Sequence, residues 1–311
     1  MLKKIFYTIL CGLLTLCSCC RDRYVELTGY AQGGIYSVKL NLSGVAAPKD
    51  EIAAAVDSLL AGIDNSLSGY NKGSLLSRYN AGQEIEPDRY WTEINGLSDK
   101  YFAMTDGAFD VASAPLFDIW GFGFTSDSLP CPEAVRAALL ECRKREKLNF
   151  NAIAQGYSCD VIAEYLHSVG VKDMLVNIGE IYCEGRNPGG EDWSIGIDTP
   201  FDGNNTPGAS LSGIWKSHGR ACGIVTSGNY RKFYVKDGRK YAHTIDPRTG
   251  YPVEHSLLSA TVVAPTAAEA DALATACMVL GPDAARDFIE SHEGLEACLI
   301  SADSTWTSPG F

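Results

Sequence analysis

Positive charge is scarce in this sequence: 26 Lys and Arg face 38 Asp and Glu, giving a formal net charge of -12 and a pI near 4.9. Nucleic-acid binders present a basic face to the phosphate backbone, so this balance argues against such a partner. Metal-ligand cysteine spacing is missing too. Beyond the N-terminal segment, Cys131, Cys142, Cys159, Cys183, Cys222, Cys277 and Cys298 form an odd set without a C-x-x-C pair, which argues against a zinc finger or ribbon. Cys159, Cys222 and Cys277 sit in apolar runs and read as buried thiols; sequence spacing assigns no disulfide. What is present suffices for a full core: 311 residues, 46% hydrophobic, allow one large or two moderate domains.

The N-terminal "MLKKIFYTILCGLLTLCSCC" places two lysines before an apolar run of about 14 residues, shorter than the ~20 of a membrane span and suited to a secretory signal. Leu16-Cys17-Ser18-Cys19 resembles a bacterial lipobox, with cleavage before Cys19 and lipid attachment to its sulfur. The alternative is a non-lipidated signal. The expectation is a leader over residues 1–18, a short anchored linker over 19–28, and a protein held on a membrane of the bacterial cell envelope, facing the periplasm.

Along the rest of the chain, helices and strands alternate without a repeated βαβ rhythm. "IYSVKLNL" reads as a strand, and Ile52, Val56, Leu59, Leu60 and Ile63 fall at helical spacing. Helices are expected over about Pro132 to Lys144 and from Tyr157 to Val169, the latter closed by Gly170. "DMLVNI" and "WSIGI" read as strands. "RKFYVKDGRKYAHTI" reads as a hairpin turning at Asp237-Gly238, and "LLSATVVA" as a strand leading into a further helix.

That last helix, "PTAAEADALATACMVLGP", is apolar except for residues such as Asp271 and Thr275, which lie one turn apart on one face. Thr266 and Glu269 form a capping-box pattern, and Gly281-Pro282 ends the helix. Asp271 therefore lies past the first turn, where the helix dipole stabilises it little. An exposed Asp271 and a Thr275 bonded back to its own helix explain the spacing; so does a carboxylate and hydroxyl holding a hard cation.

Three further segments bear on that choice. "GAFDVASAPLFDIWGFG" sets Asp110 after an aromatic, where it also reads as a cap. "LNFNAIAQGYSCDVIAEYL" passes through a small-residue turn into a helix, a place where backbone amides meet anions. "TSGNYRKFYVKDGRKYAHTIDPRTGYPVEH" carries His243 at the end of the hairpin, and Pro247-Arg248-Thr249-Gly250 also reads as a plain β-turn.

Together with "SLSGYNKGSLLSRYN", "TSGNYRKF", "HTIDPRTGYPV" and "ADALAT", these segments resemble, in order, the ApbE family of FAD:protein FMN transferases, from about residue 29 to the C-terminus. The resemblance implies an α+β, two-lobed fold, with mixed or antiparallel sheets and flanking helices around a flavin cleft. It implies Mg²⁺ held by Asp271, Thr275 and the Ala152 carbonyl, and FAD contacts at Gln32, Tyr70, Ala108, Phe109, Asp110, Asn149, Gln155 and Ile245. Core packing is the competing reading for Tyr70 and Phe109. The implied chemistry is transfer of FMN from FAD to a Thr or Ser hydroxyl of a partner redox protein, such as a membrane electron-transport subunit, with release of AMP. His243 would be the base; the competing reading is a strand-end histidine bonded within the fold.

The chain departs from the family pattern at Gln155 (commonly Lys), Asn149 (commonly acidic), Gly33-Gly34 (commonly Gly-Thr) and Gly179-Glu180 (one glycine short). Two alternatives to transfer follow: an Mg²⁺-dependent FAD pyrophosphatase yielding FMN and AMP, or an FAD-binding lipoprotein without turnover.

Overall fold

Hairpins build most of the sheet. In this computed structural model, which describes residues 23–122, 129–204, 206–230, 233–236 and 239–311, β1 (Tyr24–Ala31) and β2 (Gly34–Asn41) pair with Ala31 opposite Gly34. The two-residue turn between them has φ of 50° at Gln32 and 84° at Gly33, as a type I′ hairpin requires. Further strands are β3 (Met174–Asn177), β4 (Ile181–Glu184), β7 (Cys222–Gly228), β10 (Leu257–Ala264), β11 (Glu296–Ser301) and β12 (Thr305–Thr307). With β1 and β2 they form an eight-stranded sheet in the order β1-β2-β3-β4-β7-β10-β11-β12, every neighbouring pair antiparallel. Two small hairpins stand apart: β5 (Ser194–Asp198) with β6 (Leu211–Lys216), and β8 (Phe233–Lys236) with β9 (Arg239–Ala242).

Helices cover one face of the sheet. α1 (Lys49–Leu67), α2 (Leu75–Asn80), α3 (Arg89–Met104), α6 (Ala154–Ser168), α7 (Ala267–Leu280) and α8 (Pro282–Glu290) bury apolar residues in two clusters on that face. Period-2 alternation then divides each central strand. Val225, Val262 and Leu299 point to the helices, while Ile224, Val263 and Ile300 point to the other face, which Trp193, Ile197 and Trp215 cover from the β5–β6 unit. α4 (Ala114–Ile119) and α5 (Pro132–Lys144) build a smaller cluster with Tyr241 of β9 and with Ile245 just past its end. The α+β class and the antiparallel sheet agree with expectation.

The helix expected from Tyr157 to Val169 begins earlier, at Ala154, and ends at Ser168. Gly156 lies inside its first turn because α6 and α7 touch there. A Cβ on Gly156 would stand 2.3 Å from the Ala267 carbonyl oxygen and 2.8 Å from Asp271 Cβ. The expected turn at Asp237-Gly238 and the expected leader fall outside the described residues. Among the described residues no helix is long and apolar enough to cross a membrane.

The Gly156 contact makes a prediction. Gly156→Ala must push backbone rather than a flexible side-chain end, and overpacking of that kind costs about 1–3 kcal/mol or more. Its melting temperature should fall by roughly 5 °C or more in calorimetry. Gly96→Ala, on α3 where an added Cβ meets nothing within 4 Å, should hold or raise it. Equal melting of Gly156→Ala and wild type would contradict the tight α6–α7 contact.

Candidate active site

The site rests on α7. Its alanines allow close approach on several sides: Gly156 of α6 meets Ala267, and a Cβ on Gly223 of β7 would lie 2.3 Å from Ala267 Cα. Thr266 caps the helix by accepting from the Glu269 amide at 3.2 Å, as the capping-box pattern expects, while the Glu269 carboxylate turns to Lys100 at 3.3 Å. A second cap comes from α6. The Asp160 carboxylate accepts from the Ala267 and Ala268 amides at 2.7 and 2.8 Å, where the helix dipole favours negative charge. Asp160 closes the "AIAQGYSCD" segment, so its residue type was visible in the sequence; its capping role needs a helix distant in sequence.

Asp271 is 4% exposed, which rules out the solvent-facing reading. One carboxylate oxygen accepts from the Gly156 amide at 3.1 Å. Burial pushes its pKa up to about 7, with Asp160 repulsion adding to the rise and the Gly156 bond opposing it. Thr275 Oγ1 faces Ser227 Oγ at 3.4 Å across to β7. Both side chains line a cavity of about 390 Å³ that Ala152 also lines, from the turn before α6. These donors fit a magnesium ion, which prefers hard oxygen ligands, takes one or two carboxylates and leaves places for water and phosphate oxygens. A carboxylate held in an apolar setting with one amide partner gains most from such a cation. Among the described residues, no group of three or more His, Cys, Asp or Glu side chains is arranged to hold a metal, so the oxygen set is the candidate.

The same cavity gathers most of the expected residues. Tyr70, Ala108, Phe109, Asp110, Asn149, His243 and Ile245 line it with Ala152, Asp271 and Thr275. Asp110 is also the cap it reads as: it accepts from the Ala112 amide at 2.8 Å, stands 3.7 Å from Arg145, and has its pKa raised mainly by burial. Asn149 donates its amide to Val111 and accepts the Asn151 amide on its side chain at 2.9 Å, fixing the turn that carries Ala152. Phe109 is 2% exposed and edge-on to Tyr101, so it packs in the core as well as lining the cavity; Tyr70, 68% exposed, is not a core residue. His243 follows β9, edge-on to Phe122 at 6.4 Å. Its neighbours are fixed: Thr244 donates to Asn229 at 2.6 Å and Ile245 is buried opposite Pro252. The turn reading of residues 247–250 holds, with Asp246 accepting from the Arg248 amide and guanidinium at 2.9 Å.

Gln32 and Gln155 lie elsewhere. They line an adjoining cavity of about 930 Å³, which shares Tyr70 and Asn151 with the first. Gln32, at the positive-φ hairpin turn, donates to Ser158 at 2.5 Å, and the Gln155 amide lies over Gly179. Glu180, Thr226, Ser227 and Asn151 also line the first cavity, though the sequence assigns none of them a role: the first three come together only where the ends of β4 and β7 meet in the sheet, and Asn151 lies in the turn before α6.

Known proteins resemble the chain along most of its length. An FAD:protein FMN transferase of Escherichia coli (strain K12) is 32% identical over 274 residues, 78% of this chain and 75% of the relative. One from Vibrio cholerae is 32% identical over 317 residues, 94% of this chain and 93% of the relative. Among solved structures, the apo form of the Pseudomonas stutzeri flavinyl transferase ApbE superposes with a TM-score of 0.81 at 32% identity, covering 93% of this chain and 95% of that one. The flavin transferase ApbE from Vibrio cholerae gives 0.78 at 28% identity, covering 93% and 98%. The ApbE family profile matches residues 32–299, a span that takes in every residue gathered at the cavity, and the chain belongs to the ApbE family.

Proposed function

We propose that this protein is a Mg²⁺-dependent FAD:protein FMN transferase that moves FMN from FAD to a Thr or Ser hydroxyl of an acceptor redox protein. One observation carries the reading: α7, the Ala152 turn and the end of the β8–β9 hairpin bring Asp271, Thr275, Ala152 and His243 to a single cavity. The relatives' names as FAD:protein FMN transferases support it. FAD is long, and the two adjoining cavities give it room, with Tyr70 and Asn151 at their junction.

Asp271, Thr275 and the Ala152 carbonyl would hold the metal, which neutralises charge developing on the diphosphate when bound. His243 takes the proton of the acceptor hydroxyl, a weak nucleophile at neutral pH. A bond forms between that oxygen and the FMN-side phosphorus, the bond to the bridging oxygen breaks, and AMP leaves. Ile245 and Phe109, both buried, exclude water from this wall of the cavity. The leader reads as a lipid anchor at Cys19, and we propose that the enzyme works from a bacterial envelope membrane toward the periplasm on a membrane electron-transport subunit.

Incubation with FAD, Mg²⁺ and a Thr-bearing acceptor peptide tests the activity, with mass spectrometry of the peptide and chromatography of nucleotides. Flavinylated peptide with one AMP per transfer is expected. Free FMN and AMP with unmodified peptide would replace the proposal by a pyrophosphatase, and binding without products by an FAD carrier.

A further inference from the structure

Seven cysteines in the described residues carry thiols, and their sequence spacing names no pair. The sheet does. β4 and β7 run antiparallel with Ile181 opposite Ile224, Tyr182 opposite Gly223 and Cys183 opposite Cys222. Directly opposed residues in such a pair have Cα atoms about 4.5–5.5 Å apart and side chains on one face. A disulfide asks for roughly 4.4–6.8 Å. Both thiols are buried, 0% and 4% exposed, in the cluster that Trp193 and Trp215 cover from the β5–β6 side. The Cys222 thiol points to the Arg220 carbonyl at 3.9 Å, and the neighbouring thiols shift each other's pKa, Cys222 downward and Cys183 upward.

The other cysteines have no such neighbour. Cys298 shares the cluster but lies on β11, with β10 between it and β7, so two strand spacings of roughly 4.8 Å separate it from Cys222. Cys159 on α6 donates to the Glu180 carbonyl at 3.2 Å. Cys142 and Cys277 sit on α5 and α7, and Cys131 is exposed ahead of α5.

We propose that Cys183 and Cys222 form a cross-strand disulfide that ties β4 to β7. A low-molecular-weight disulfide such as oxidised glutathione supplies the oxidising equivalents. The Cys222 thiolate attacks one of its sulfurs and expels a thiolate; the Cys183 thiolate then attacks the mixed disulfide and expels the second. Two protein thiols and one disulfide become one protein disulfide and two small thiols. Because both sulfurs are buried, the exchange belongs to folding, before the β5–β6 hairpin covers the strands. The bond closes the loop of residues 183–222, which contains that hairpin, and braces two strands that lead to the cavity through Glu180 and through Thr226, Ser227 and Gly228.

The test uses the wild-type chain, unfolded and reduced, then refolded with oxidised and reduced glutathione, alkylated and digested without reduction. Mass spectrometry should find the peptides containing Cys183 and Cys222 joined and two hydrogen masses lighter than their sum. The oxidised protein should melt roughly 5–10 °C above the same protein refolded with reductant. A Cys183→Ala/Cys222→Ala double variant should melt at the same temperature with and without reductant. Recovery of both cysteines alkylated, or joined to other cysteines, overturns the proposal. If the double variant does not fold, the wild-type mapping decides alone.

Discussion

Asp271→Asn is expected to abolish flavin transfer at ordinary Mg²⁺ concentration, by about 100-fold or more, while leaving the fold intact. The substitution keeps size and shape, and the Asn carbonyl can still accept the Gly156 amide that now reaches the carboxylate at 3.1 Å. What it removes is the charge that would bind the metal, worth several kcal/mol of transition-state stabilisation. Millimolar Mg²⁺ should recover part of the rate. Stability should move the other way. A carboxyl whose folded pKa is raised to about 7 holds a proton that the unfolded chain, titrating near 4, has released. The native state thus binds more protons between about pH 4 and pH 7, and the metal-free protein loses stability as pH rises through that window. Melting temperatures of metal-free wild type should decline from pH 5 to pH 8, more steeply than those of Asp271→Asn, whose amide does not titrate. Wild-type turnover and metal dependence in the variant would show that Asp271 holds no metal.

His243→Ala should lower turnover by about 10²–10⁴-fold, the range of a lost general base. FAD affinity should stay within a few fold, because the loop around it is anchored independently by the Thr244–Asn229 bond and by buried Ile245. Turnover with saturating FAD and acceptor peptide, paired with calorimetric titration of FAD, separates the two effects. Added imidazole should restore part of the rate if the missing group is a base. A variant that binds FAD poorly yet turns over normally at saturation would make His243 a binding residue instead.

The parts of this molecule that were legible in its sequence are those with local signatures. The α7 ends are readable because a capping Thr and a Gly-Pro stop act within a few residues; β2 follows alternation, while β10 reads as a strand from a short β-rich run that is buried on both faces. The start of α6 differs from expectation because Gly156 ordinarily argues against helix, whereas here a helix that begins about a third of the chain's length further on requires the missing Cβ. Burial of Asp271 was equally invisible: the spacing to Thr275 puts both on one face, but only packing by α6 and β7 decides which face. The candidate site divides in the same way. His243 and Asp271 stood out through family motifs, while Ser227 and Glu180 come from strand ends adjacent only after the sheet is assembled, and the separation of Gln32 and Gln155 into a neighbouring cavity depends on where the β1–β2 turn meets α6.

The glycine contacts on either flank of α7 have a consequence for how such a chain can diversify. With Gly156 on one side and Gly223 on the other, the first turns of the helix are packed against backbone, which sets where its carboxylate and hydroxyl enter the cavity wall. Selection for a new acceptor would then act on side chains outside that packed helix, such as exposed Tyr70 at the junction of the two cavities. Inheritance of the chemistry and inheritance of the clientele are thereby written in different parts of the chain, and a lineage can exchange the second without renegotiating the first.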